Sequence, residues 1–108
     1  MPKSPDQRTQ REDGVDVKER TRTRPPRRYE VLLHNDDYTT MEFVVLVLVT
    51  VFRRDHTAAV RIMLSVHREG VGVAGVYTRE VAEEKLQRAM TMARENGMPL
   101  QLSMQPER

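Results

Sequence analysis

Residues 1–28 and residues 29–108 are two different kinds of chain, and the break between them fixes how much of the sequence can fold. The first stretch holds a single aliphatic type, Val15 and Val17, among Pro, Gln, Thr, Arg and acids. It cannot bury enough apolar surface to offset the entropy of ordering it, so a disordered extension is expected there. Pro25-Pro26 closes it, and from Tyr29 the texture changes. The second stretch is long enough for one domain and not two. Its core is modest, which leaves little room for an enclosed multi-cofactor active site.

Charge follows the same division. Residues 1–28 carry nine Lys/Arg against five Asp/Glu, and residues 29–108 carry nine against eleven. A basic extension could touch nucleic acid or an acidic partner, but the interspersed acids blunt its field, and a solvated tail is expected. The absence of cysteine excludes disulfides, thiolate metal sites and a cysteine nucleophile, and it fits a reducing compartment. No apolar run follows the first residues, so no signal peptide is expected. The apolar stretch from Phe43 to Phe52 is too short for a bilayer, which needs roughly 20 apolar residues. A soluble cytoplasmic protein without a membrane partner is the expectation.

Six elements can be read from residue 29 onward. Tyr29 to His34 alternates as a strand, with Tyr29, Val31 and Leu33 on one face. Asn35 to Thr40 is a turn cluster. Met41 to Arg53 is rich in valine, which favours a strand, but its length favours a helix. Val45, Leu46 and Val49 then fill the side opposite the stripe of 44, 47, 48, 51 and 52, so that far face is either covered or sticky. Asp55 is a good N-cap for a second helix, Thr57 to Arg68, and Gly70 stops it. Val71 to Tyr77 is a second strand with glycines at 72 and 75 where something approaches closely. Thr78 can cap a third helix striped by Ala82, Leu86, Ala89, Met90 and Ala93 and stopped by Asn96-Gly97. A third strand comes after Pro99, with Leu100, Leu102 and Met104 on one face. The order β-α-α-β-α-β predicts an α+β sandwich, a three-stranded antiparallel sheet covered by three helices.

The residues able to carry chemistry are few. His34, His56, His67, Asp36 and Asp37 could form a metal or acid–base cluster. No HExxH pattern, phosphate-binding glycine loop or GxSxG elbow accompanies them. Adjacent aspartates in a turn usually bond nearby backbone. A lone histidine beside Met63 and Val66 reads as an edge-of-core group, and Met41 and Met63 read as core filler. Spacing alone leaves these alternatives open.

A resemblance narrows them. Asn35-Asp36-Asp37-Tyr38-Thr39-Thr40-Met41-Glu42-Phe43-Val44 resembles the NDDYTPMEFV signature of the ClpS adaptors, with Thr40 in the proline place. Ile62-Met63-Leu64-Ser65-Val66-His67 resembles the family's MLxVH. Gly70 through Gly75-Val76-Tyr77-Thr78 resembles GxxxxGxYT, Glu80-Val81-Ala82-Glu83-Glu84-Lys85 resembles EVAETK, and Pro99-Leu100 resembles the PL of the last strand. The likeness runs from about Tyr29 to Met104, so residues 29–108 are expected to be a ClpS-like adaptor domain and residues 1–28 its flexible extension.

The resemblance implies an adaptor, not an enzyme, with no cofactor and no nucleic acid. Its partners are N-degron peptides and proteins of the N-end rule, whose first residue is Leu, Phe, Tyr or Trp, and the ClpA hexamer of the ClpAP protease. Carried over, the ligand's α-amino group meets Asn35, Asp37 and His67. The first side chain enters a pocket of Leu33, Thr39, Met41, Val44, Met63, Val66 and Leu100. The family's methionine matching Met41 crowds the β-carbon of that side chain and excludes Ile and Val. Glu80 and Lys85 match positions facing ClpA, whose pore engages the family's N-terminal extension. Physical chemistry agrees with the assignment: an α-ammonium is a three-donor group, and amide oxygen, carboxylate and neutral imidazole are acceptors. Two departures stand out. Thr40 in the proline place predicts a looser loop before Met41, and Leu46, Val49 and Thr50 replace polar or charged groups on the first helix.

Overall fold

A computed structural model describes residues 25–108. The tail expected to be disordered lies, through residue 24, outside the described residues. The first strand, β1 (Arg28–His34), is the centre of the sheet. It pairs antiparallel with β2 (Val71–Thr78) on one side and β3 (Gln101–Pro106) on the other. Its alternation is the one read from sequence: Val31 and Leu33 are completely buried and Leu32 and His34 are not. The register sets Leu33 beside Leu102 and Val31 beside Met104, which makes one continuous apolar face.

Three helices cover that face, in the predicted order. Helix α1 (Met41–Thr50) buries Phe43, Val44, Val47 and Leu48. Helix α2 (His56–Glu69) buries Ala59 and Val66. Helix α3 (Arg79–Glu95) buries Ala82, Ala89 and Ala93, so its backbone can lie close to the sheet at no side-chain entropy cost. The three N-caps are residue types whose side chains accept from the open N–H groups of a helix start. Thr40 accepts from the Phe43 N–H, Asp55 from that of Ala58, and Thr78 from that of Val81. Gly70, at φ +89°, closes α2 in the left-handed region that glycine alone adopts without cost.

Helix α1 stops at Thr50, short of the expected Arg53. Arg53 takes φ 58°, which turns the chain toward Asp55, and the Arg54 N–H reaches back to the Leu48 carbonyl at 3.0 Å. Val51 and Phe52 stay buried after the helix has ended. The expected stripe therefore persists while the helix does not, because burial in a tight corner imitates helical spacing. Two cations tie the corner down, one to β2 and one to α3. Arg54 Nε donates to the Ala74 carbonyl at 2.7 Å, where β2 carries a bulge opposite Val31 and Leu32. Lys85 Nζ donates to the Val51 carbonyl at 2.9 Å and stands 5.3 Å from the centroid of the Tyr77 ring. Burial raises the Tyr77 hydroxyl above its usual pKa, and the Arg54 charge opposes that shift in part.

The opposite face of the sheet is half open. His34 Nε2 meets Ser103 Oγ at 2.7 Å there, and Gln105 Nε2 donates to Glu30 Oε1 at 2.9 Å. Both glycines singled out in β2 are places of close approach. A methyl group at Gly72 would stand 2.7 Å from Val66 Cγ2, and one at Gly75 would run into the Tyr77 ring. Val66 is β-branched and cannot swing aside cheaply. Gly72→Ala is therefore expected to cost about 1–3 kcal/mol through overpacking, read as a lower urea midpoint with an unchanged slope.

Candidate functional site

The site begins where β1 ends. Past His34 the Asn35 N–H donates to the Gly70 carbonyl at 2.9 Å, so the start of the first loop is joined to the C-terminal end of α2. That bond brings Asn35 and Asp37 to the same place as Val66 and His67. The loop is then folded around one side chain. Asp36 Oδ1 accepts from the Tyr38 N–H at 2.8 Å and the Thr39 N–H at 2.7 Å, and Oδ2 accepts from Thr39 Oγ1 at 2.7 Å. Burial pulls the Asp36 carboxyl upward, but the bonds from Thr39 and Tyr38 outweigh it and hold the group below its ordinary range. Asp36 is thus the loop's internal anchor, and its neighbour Asp37 is exposed.

Thr40 comes next, as the N-cap of α1. The loosening expected from its replacement of proline is offset by its side-chain bond to the Phe43 N–H at 3.1 Å. The loop before Met41 is held from both ends, by Asp36 and by Thr40.

Between this loop and α2 lies a cavity of ≈ 230 Å³. Asn35, Asp36, Asp37 and His67 are at its polar side, and Thr39, Met41, Val44, Met63 and Val66 complete the wall. Eight of the ten residues assigned to ligand binding by resemblance come together here. The other two do not reach the wall. Leu33 is completely buried in the core, and Leu100, 3 % exposed, borders a different hollow near the end of α3. Both were assigned to the site by the resemblance; β1 alternation turns Leu33 into the sheet–helix interior. Asp36, which the resemblance leaves out of the ligand contacts, does line the cavity while its oxygens serve the loop. Its signal was present in sequence as an aspartate three residues before a threonine in a turn.

A second, more open hollow of ≈ 550 Å³ adjoins the first. Met41 and Met63 belong to both. The remainder is the far side of α1, Val45, Leu46 and Val49, with Glu42 and His56 at the rim. The face read as covered or sticky is covered only in part: Val45 and Val49 pack against the core, and Leu46 is 46 % exposed.

Among the described residues no group of three His, Cys, Asp or Glu side chains is gathered as a metal site would need. No helix among them is long and apolar enough to cross a membrane. Of the two residues matched to a partner-facing surface, Glu80 is exposed in the first turn of α3, whereas Lys85 is half-buried with its ammonium bound to Val51.

Residues 24–103 match the family model described as ATP-dependent Clp protease adaptor protein ClpS. The chain belongs to the ClpS family. It is 60 % identical over 86 residues to the ClpS of Desulfatibacillum aliphaticivorans, covering 80 % of this chain and 83 % of that one. It is 63 % identical over 82 residues to the ClpS of Myxococcus xanthus, covering 76 % and 77 %. The structure of Agrobacterium tumefaciens ClpS2 bound to L-phenylalaninamide superposes with a TM-score of 0.74 at 42 % identity, over 77 % of this chain and 100 % of that one. The architecture, including the β-α-α-β-α-β order, is thus that of ClpS.

Within this ClpS fold the Asp36 anchor has a measurable signature. Its folded pKa is depressed, so its contribution to stability is complete above its unfolded value, roughly pH 4, and is lost as pH falls through the folded value. Asp36→Ala is expected to cost about 1–3 kcal/mol near neutral pH. The gap from wild type should shrink as urea melts are repeated toward about pH 3.

Proposed function

We propose that this protein is a non-enzymatic adaptor of the cytoplasm that binds the free amino terminus of polypeptides beginning with Leu, Phe, Tyr or Trp and delivers them to the ClpA unfoldase of ClpAP. The observation that carries the reading is that one small cavity has both a cluster of acceptors and an apolar wall. Asn35 Oδ1, the Asp37 carboxylate and a neutral His67 nitrogen suit the three donors of an α-ammonium. Met41, Val44, Met63 and Val66 suit a large side chain, and the two methionines adapt to several shapes. Leu33 and Leu100 contribute from behind, as the packing that fixes the wall. The volume is below the usual range for drug-sized ligands and fits a single residue. L-phenylalaninamide, the ligand of the Agrobacterium relative, has a free α-amino group and an aromatic side chain on one residue.

Two contributions then set affinity. Burying one large apolar side chain is worth roughly 1.5–3 kcal/mol. Losing one charge-assisted hydrogen bond to the ammonium costs about 1.5–3 kcal/mol. Titration with short peptides that differ only in their first residue tests the reading directly. A Leu-first peptide should bind and its acetylated form should not, because acetylation removes the charge and leaves one N–H. Asp37→Ala and His67→Ala should fold normally and bind at least about tenfold more weakly. Equal binding of the acetylated peptide would refute the amino-group contact. In the same titration Met41→Ala should admit Ile-first and Val-first peptides and keep Phe-first binding, because their second β-carbon branch cannot rotate away from Met41.

Delivery rests on other parts of the chain. Glu80 and Lys85 are proposed to lie toward ClpA. Lys85 does so mainly by fixing the α1–α2 corner, since its ammonium is bound to Val51. Residues 1–28 carry none of the pocket groups and, fully extended, reach up to about 90–100 Å. A chain beginning at Pro25 should bind Leu-first peptides and dock on ClpA, yet fail to speed degradation of a Leu-first protein by ClpAP. An unrelated polar tail of equal length should restore most of the activity. Full activity without the tail would make it a passenger.

A further inference from the structure

We infer that the apolar groove beside the cavity is a second reading position, which takes the side chain of the third residue of the same bound polypeptide. The inference rests on the reading that the cavity holds the first residue. The groove adjoins the cavity, because Met41 and Met63 line both. Met41 is 43 % exposed at the shared edge, within reach of a chain leaving the cavity on that side. Beyond that edge Leu46 is 46 % exposed on the far side of α1, and Val45 and Val49, packed in part against the core, complete the groove. Apolar surface left open next to a binding cavity marks a contact surface.

The geometry of an extended peptide selects the residue. Side chains alternate in direction, so the first and third point the same way, about 6.6–6.8 Å apart, and the second points outward. A polypeptide whose first side chain enters the cavity therefore sets its third beside it, across Met41. The apolar floor favours an apolar third residue and disfavours an acidic one, which would lose hydration there. The groove thus grades polypeptides that share the same first residue.

The test uses the full-length protein and Leu-first peptides that differ only at the third residue, as Leu, Ala or Asp, with a parallel set varied only at the second. Leu at the third position should bind at least about threefold more tightly than Ala, and Asp more weakly than Ala. The second-position set should stay within about twofold. Leu46→Ser, at an exposed position, should flatten the third-position series and leave the loss on acetylation intact. A flat third-position series in wild type with normal loss on acetylation would overturn the groove and spare the cavity. A preference at the second position instead, or one unchanged in Leu46→Ser, would also overturn it. A groove filled by a second copy of the chain would make the third-position preference fade as protein concentration rises, and that result would refute the inference. Indifference to acetylation would remove the cavity reading itself.

Discussion

The hydrogen bond from the Asn35 N–H to the Gly70 carbonyl, at 2.9 Å, is where the two halves of the site become one object. Asn35 and Asp37 come from the end of a strand, and Val66 and His67 from the end of a helix. Neither segment alone makes a cavity. The bond can form because Gly70 reverses the chain in the left-handed region, which turns α2 straight into β2 and sets Val71 beside His34. With the sheet register fixed there, the loop after β1 has one place to go.

The loop itself shows how two adjacent carboxylates can divide labour without any change of chemistry. Asp36 commits its oxygens to Tyr38 and Thr39, so the turn is made rigid from within. Its neighbour Asp37 stays exposed at the cavity. Rigidity matters because a loop that must be ordered on binding subtracts that entropy from affinity. Thr40 extends the same arrangement into α1, since its hydroxyl satisfies one of the N–H groups that a helix start leaves open.

Much of the fold was legible in the sequence, for identifiable reasons. Asp55, Thr78 and Gly70 are capping residues whose chemistry admits few alternatives, and the boundaries they set agree with the fold to within a residue or two. Strand alternation in β1 was equally plain. The end of α1 was not, because Val51 and Phe52 are as buried as helix residues would be although the helix has ended, and the positive φ of Arg53 leaves no mark on the apolar pattern. Leu33 and Leu100 lie behind the cavity wall, and the resemblance that assigned them to the site does not say whether a residue faces the cavity or the core behind it. The bulge at Ala74 and the internal bond of Lys85 depend on partners about twenty and thirty-four residues away, and no local pattern encodes them.

The position of β1 has a consequence for how the chain acquires its shape. It is the central strand, yet its two neighbours come from much later in the sequence, and its contacts with β3 join residues 69 and 75 positions apart. The helices can gain from local contacts early, but the sheet gains from β3 only after a large loop has been closed. The speed of folding is therefore governed by a search across most of the domain. Until that search ends, one edge of the strand that launches the binding loop has unpaired N–H and C=O groups, open to any other extended chain.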